Sequence, residues 1–304
     1  MSSLAQVLFV VGLGIFWGAA PALNKMLGLA GVPVTHILVA GGFGVGAGLM
    51  VLQRLSGGRF RAGRPELLYG LGCAVLLSVP WALSVAAIRH VPVALTALVI
   101  STTPLWTYAL ALVFRREPFS PLRLLALGVG MASSAAIIFT HADFNPSNID
   151  WWLGLTLSLP LLYASYDVFA SVAWPKNMPP LTAGILESFI VGLLCLPAVF
   201  WLDPLAGGVM SLHPLGYLLL GAVTLLWVIE RVCFFNMIRL FGPVTTGQSV
   251  YVSTPASVLL GLAFFGEQAD VWLGVSLALL MAALWLNNLA IRPQTSQAPT
   301  PATP

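Results

Sequence analysis

The sequence predicts an all-α integral membrane protein: ten transmembrane helices, arranged as two inverted-topology five-helix repeats around a central cavity. Three observations carry this expectation. Hydrophobic residues fill 59% of the 304 positions and charged residues only 8%, where a soluble surface needs roughly a quarter of the chain charged. The apolar residues fall in runs close to the ~20 residues a helix needs to cross hydrocarbon. The second half of the chain repeats a pattern of the first, shifted by about 150 residues. The 29 glycines and 22 prolines would suggest irregular chain in water, but both are common in membrane helices. A β-barrel would show short alternating segments instead of long apolar runs.

Taken in order, the expected spans are 4–26, 34–53, 67–88, 93–114, 121–140, 152–173, 181–202, 214–236, 244–265 and 271–291. The first run lacks a basic leader and a convincing cleavage site, so it reads as a retained helix and not a signal peptide. Short separators carry Gly, Pro, Asn or charge, as at Gly57-Gly58, His90-Val91-Pro92 and Asn145-Pro146. Residues 292–304 read as a polar, disordered cytoplasmic tail. The expected units are thus 1–143, 144–291 and 292–304.

Orientation follows from Lys and Arg. With the N-terminus inside, the cytoplasmic face receives Arg54, Arg59, Arg61, Arg64, Arg115, Arg116, Arg123, Lys176, Arg239 and Arg292. The outer face receives Lys25 and Arg89. Both termini are therefore expected in the cytoplasm. Lys25 lies about 31 Å along helix 1 from Leu4, where it can snorkel to headgroups.

The internal repeat is explicit in two stretches. Residues 88–117 contain Ile88-Arg89, Pro92, Thr102-Thr103-Pro104-Leu105 and Phe114-Arg115-Arg116-Glu117. Residues 238–267 contain Ile238-Arg239, Pro243, Ser253-Thr254-Pro255-Ala256 and Phe265-Gly266-Glu267. Five spans per repeat put Glu117 and Glu267 on opposite faces. Inverted repeats mark secondary transporters, with the substrate site at the midplane between halves.

With these motifs, and with Phe16-Trp17-Gly18-Ala19-Ala20-Pro21-Ala22-Leu23-Asn24-Lys25 in helix 1, the chain resembles ten-span members of the drug/metabolite transporter superfamily, in the EamA family. The resemblance covers about residues 4–291. Two departures are Trp174-Pro175-Lys176, where the family often has a basic residue ending helix 6, and the acidic residues of helices 6 to 8. The resemblance implies a bacterial inner-membrane carrier of small metabolites, commonly amino acids or related compounds, often outward. It also implies no nucleotide-binding domain, and the chain contains no GxxxxGK[ST] run.

Ionisable groups inside a bilayer point to the bundle interior or a wet cavity. Four qualify: Asp167, Glu187, Glu230 and Arg231. Tyr163 shares a helical face with Asp167. Glu187 lies about 9 Å into helix 7. Trp227 shares a face with Glu230 and Arg231, with Phe234 beside them. The arginine can clamp a carboxylate, and an acid can take an ammonium or a proton. Alternatively, Glu230 or Asp167 pairs structurally with Arg231. Three acids against one base predict that at least one of Glu230, Glu187 and Asp167 is protonated in one transport state. Trp17 is mid-span, either lining the pocket or packing. Gln248 and Tyr251 add polar groups to helix 9, and Pro104 and Pro255 are candidate hinges or kinks. Gly42/Gly46 and Gly44/Gly48 form interleaved close-approach pairs.

The expected function is secondary active transport by alternating access, with proton coupling and in the outward direction. Facilitative uptake is the alternative, and an intramembrane enzyme a remote one. The partners are the lipid bilayer, a small solute and protons, with no nucleic acid and no cofactor; oligomeric state stays open. Cys73, Cys195 and Cys233, and His36, His90, His141 and His213, show no metal-binding spacing.

Overall fold

A computed structural model describes residues 3–87, 99–115, 117–141, 151–202, 214–265 and 271–291. Within them the chain is helical and forms no strand. The helices are α1 (Ser3–Leu29), α2 (residues 34–55), α3 (Arg64–Ala87), α4 (Thr103–Val113), α5 (Pro121–His141), α6 (Trp151–Val172), α7 (Pro180–Leu202), α8 (Pro214–Gly247), α9 (Ser249–Phe265) and α10 (Val271–Ile291). Glu267, Arg89, Arg116 and the 292–304 tail lie outside the described residues, as does the 142–150 stretch where the unit boundary was placed.

Backbone chemistry explains many of the ends. In lipid every N–H and C=O must be paired within the protein, which is why helices dominate. Gly31 (φ 76°) and Gly57 (φ 72°) end α1 and α2 in the left-handed conformation. There the amides of Val32 and Gly58 reach back to the carbonyls of Leu27 and Gln53, which satisfies orphan acceptors at a helix C-terminus. Pro121, Pro180 and Pro214 each open a helix, where a missing N–H costs nothing.

Four stretches are long and apolar enough to cross a membrane, among the described residues: His36–Leu55, Gly154–Val172, Pro180–Pro197 and Pro214–Gly247. Shorter apolar helical stretches lie at Leu4–Ala20, Thr103–Val113, Pro121–Ser133 and Ala278–Asn287. Several boundaries differ from expectation: a turn at 101–102 interrupts the fourth expected span, so that α4 opens at Thr103, and α9 opens at Ser249 and not at 244. The eighth span was read to stop at 236, yet the helix continues to a kink at Gly242 (φ 78°, ψ 175°) and resumes at Pro243. Met237 and Ile238 are fully enclosed, so packing carries the helix past the polar Asn236. A second local feature is a π-helical turn over Ala40–Gly44 inside α2, joining Val34–Val39 to Val45–Leu55.

The most extensive helix pairings are not between neighbours in sequence. α1 packs on α9, α5 on α10, α2 on α7, α4 on α6, and α3 on both α6 and α7. α8 runs through the middle and touches α1, α2, α4, α6, α7 and α9. α2 makes its approach through glycine: a Cβ on Gly42 would collide with Gly192 of α7, and one on Gly48 with Val228 of α8.

Four loops gather at one end. Gln53 Nε2, at the end of α2, donates to Thr182 Oγ1 at the start of α7 (3.2 Å) and to Arg59 O (3.4 Å). Arg239, at the end of α8, donates to Met178 O in the α6–α7 loop and lies over the Trp174 ring. Glu117, in the α4–α5 loop, is ion-paired with Arg123 and lies beside Gly242.

Candidate functional site

At the centre of the bundle, one guanidinium is held by two carboxylates from different helices. Arg231 and Glu230 are consecutive in α8, and Arg231 Nε lies 2.9 Å from Glu230 Oε2. Arg231 Nη1 lies 3.4 Å from Glu187 Oε2 of α7. Tyr166 of α6 bridges them: its hydroxyl donates to Glu187 Oε1 (2.6 Å) and accepts from Arg231 Nη1 (3.0 Å). From α1, Trp17 Nε1 donates to Glu230 Oε1 (2.8 Å). Each of the four carboxylate oxygens therefore faces an N–H or O–H donor, the arrangement that suits two ionised acids.

An aromatic floor holds this network in place. Phe234, one turn after Glu230, stacks on Tyr166 with centroids 5.2 Å apart and planes 7° from parallel. Arg231 Cζ is 5.4 Å from the Phe234 centroid, close enough for a cation–π contact. Trp17 and Phe235 also meet the Phe234 ring. Below it lies Tyr69, whose ring meets those of Phe169 and Trp174.

Above the floor is a cavity of about 200 Å³. Its polar wall is Glu187, Ser188, Glu230 and Arg231; Trp17, Trp81 and Trp227 supply indole faces. Gly41, in the π-helical turn, also lines it. Such turns occur often at functional sites because they re-aim one face of a helix. On α1 and α3 the lining residues, Phe16 to Leu23 and Leu77 to Trp81, lie in the halves remote from Arg64 and the gathered loops. A wider apolar groove on α5, lined by Phe119, Leu124 and Leu125 among others, carries no polar group and faces outward.

The structure thus brings together Trp17, Glu187, Trp227, Glu230 and Arg231. It sets the other candidates apart. Asp167 is 6% exposed and lies towards α4; a Cβ on Gly247 would lie 3.7 Å from its Oδ2 and 3.6 Å from Thr107 Oγ1. Tyr163 is half-buried on α6, outside the cavity lining. Tyr251 is packed between α9 and α5, with its ring on Gly130 and its hydroxyl donating to Leu127 O (3.2 Å). Gln248 is buried at a turn between α8 and α9, and its Oε1 has no hydrogen-bond partner among the described residues. Pro104 occupies the first turn of α4, a tolerated place, whereas Pro255 is inside α9. Among the described residues no group of three His, Cys, Asp or Glu is placed to hold a metal ion.

Sequence reasoning missed Tyr166, Trp81 and Ser188. Tyr163 lies one turn before Asp167, and that spacing identifies a shared face without saying what the face meets. A signal for Tyr166 was nonetheless present. At the 150-residue shift it corresponds to Phe16 of the helix 1 motif; Phe16 lines the cavity and Tyr166 bonds the carboxylate network beside it.

Residues 4–139 match the model of a family described as the EamA-like transporter family. The chain is 26% identical over 282 residues to the uncharacterized inner membrane transporter YedA of Escherichia coli (strain K12), covering 90% of this chain and 88% of the relative. It is 26% identical over 278 residues to the protein RarD of Streptomyces exfoliatus, covering 88% and 84%. A solved crystal structure shares the fold with a TM-score of 0.74 at 17% identity, over 95% of this chain and 98% of the other.

Proposed function

We propose that this chain is a secondary active transporter of small metabolites in the bacterial inner membrane, a reading supported by the match of residues 4–139 to the EamA-like transporter family. The observation that carries the reading is the Glu187–Arg231–Glu230 network opening onto a cavity walled by three tryptophans. Charge buried at this depth is costly in a bilayer, and a network this complete is a site, with its donors and acceptors matched.

The cavity speaks to the solute. At about 200 Å³ it is smaller than the ~300 Å³ at which drug-sized pockets begin, and it suits a molecule the size of an amino acid. Two carboxylates around one guanidinium leave a charge of −1. A solute with an ammonium group balances it, and indole faces favour cations and aromatic rings. Arg231 Nε and Nη1 are already engaged, so the arginine serves first to hold the acids. Amines and aromatic amino acids lead the candidate list.

The mechanism proposed is alternating access between two inverted five-helix halves that together cross the membrane ten times. In its support, the helix pairs interchange when each helix is shifted by five places: α1·α9 becomes α6·α4, α3·α7 becomes α8·α2, and α5·α10 and α2·α7 map onto themselves. The gathered loops carry Arg54, Arg59, Arg61, Arg64, Arg115, Arg123, Lys176 and Arg239, which supports the cytoplasmic side for that end. The cavity then faces outward and the aromatic floor closes it from the cytoplasm. Export is the direction proposed.

A thermal-stabilisation panel of amines, amino acids and aromatic compounds on the purified protein tests the reading. A solute at 100 times its Kd stabilises a protein by about 2.7 kcal/mol. The solute that stabilises should show saturable counterflow in proteoliposomes, and both effects should vanish in Glu230→Gln. Stabilisation with linear, non-saturating flux would mean a channel; stabilisation untouched by Glu230→Gln would place the solute elsewhere.

A further inference from the structure

The three buried acids differ in one respect: two share a cation and one does not. Glu187 and Glu230 divide Arg231 between them, and each also accepts from an uncharged donor, Tyr166 or Trp17. A proton on either would press against an existing N–H or O–H donor. Asp167 is as thoroughly enclosed, yet among the described residues no Lys or Arg lies within ion-pair reach of it. An unpaired carboxylate inside a bilayer is costly enough that such groups neutralise instead.

We infer that Asp167 binds and releases the exchangeable proton, at a site separate from the substrate cavity and built by α4, α6 and the α8–α9 junction; this rests on the carrier reading above. The hydroxyl of its neighbour fits a neutral acid. Thr107 Oγ1 donates its one hydrogen to Thr103 O at 3.0 Å, which leaves a lone pair for Asp167, whose Oδ2 lies with Thr107 Oγ1 against Gly247. With the proton present, Asp167 O–H donates to Thr107 Oγ1 and the chain of donors runs on to Thr103 O. When the proton leaves to water, the Oδ–H electron pair stays on the carboxylate, and the Thr107 hydrogen turns from Thr103 O to Asp167. The Thr103 carbonyl keeps its ordinary helical acceptor role, so the switch is local.

The charged and titratable groups on the packed helices are few. α3 presents Tyr69 and Cys73, α7 presents Glu187, and α8 presents Glu230 and Arg231. Of these, Arg231 is the group near enough to act on Asp167, and its guanidinium is already neutralised by the two glutamates. α4 presents the uncharged Thr107. Asp167 also stands one residue from Tyr166, whose hydroxyl ties Glu187 to Arg231. A change of charge at Asp167 therefore acts on the helix that braces the substrate network. It also acts on the seam between α4 and the interruption at Gly247-Gln248, where the backbone lies against it.

Infrared difference titration of the full-length protein in phosphatidylcholine bilayers, in deuterium oxide, tests this without any substrate. The wild type should show one C=O band of a buried carboxylic acid that disappears as pH rises. Asp167→Asn should abolish it, and Asp167→Glu should keep a titrating band, which guards against misfolding as the cause of loss. Thr107→Val should shift its frequency by removing the hydrogen bond. Glu187→Gln and Glu230→Gln should leave it in place. A band that survives Asp167→Asn, a band lost in either glutamine variant while Asp167→Asn keeps it, or a wild type with no titrating band overturns the proposal. Failure of every solute in the thermal panel would instead strike the carrier reading and leave the band untouched.

Discussion

Glu187 and Asp167 are both enclosed carboxylates on touching elements of the bundle, and their surroundings are opposite. Glu187 meets a guanidinium and a phenol; Asp167 meets one threonine hydroxyl and a glycine backbone. The first surroundings give each carboxylate oxygen a donor and supply a cation; the second supply Asp167 no cation among the described residues. The difference teaches that burial alone does not assign a role to an intramembrane acid; the donors it can reach decide.

Substitutions at the two places should separate them. The largest effect belongs to Arg231→Met, which strands two carboxylates. Removing one member of a buried pair costs about 3–5 kcal/mol, so thermal denaturation in detergent should show a large loss of stability or of folded yield. Adding Glu187→Gln and Glu230→Gln to Arg231→Met should recover much of that loss. If the single variant is as stable as wild type, the guanidinium is not the keystone described here. A smaller effect should follow Trp17→Phe, which keeps an aromatic ring but removes the N–H to Glu230. Hydrogen bonds to charged groups contribute about 1.5–3 kcal/mol, and the loss should appear as weaker solute stabilisation more than as lower intrinsic stability. The smallest belongs to Asp167→Asn. An amide in place of a neutral acid retains the Thr107 contact, so stability should change by less than about 1 kcal/mol. A loss as large as that of Arg231→Met would mean that Asp167 is ionised and paired. The same variant should uncouple solute flux from a pH gradient while sparing counterflow, as measured with the solute that the thermal panel identifies.

Glycine gives a further control on the rigidity of the site. Gly42→Ala puts a methyl group against Gly192 and should force α2 from α7, at the cost of about 1–3 kcal/mol typical of overpacking. Gly128→Ala, with nothing within 4 Å of the added carbon, should be nearly neutral by the same thermal measurement.

Much of this was legible in the sequence. The helical, membrane-embedded character followed from composition and run length, and most helix limits fell near their Gly and Pro markers. The Trp227, Glu230, Arg231 group was found from helical spacing, since residues three and four apart must share a face. Trp17 was identified as a mid-span oddity with two readings, and the structure gives it both: it lines the cavity and bonds Glu230. The glycines of α2 were read as a packing surface. What spacing could not say is that Gly42 and Gly46 meet α7, while Gly44 and Gly48 meet α8.

The sequence by itself determined that these helices form and which residues each presents together, because in hydrocarbon every backbone polar group must bond within its own segment and the helix then fixes the angle between side chains. Only the tertiary structure decided what each face meets. Trp17 reaches Glu230 across 213 positions of chain and Glu187 reaches Arg231 across 44. Partners between helices are chosen by close packing of whole surfaces, and no local spacing rule carries that information.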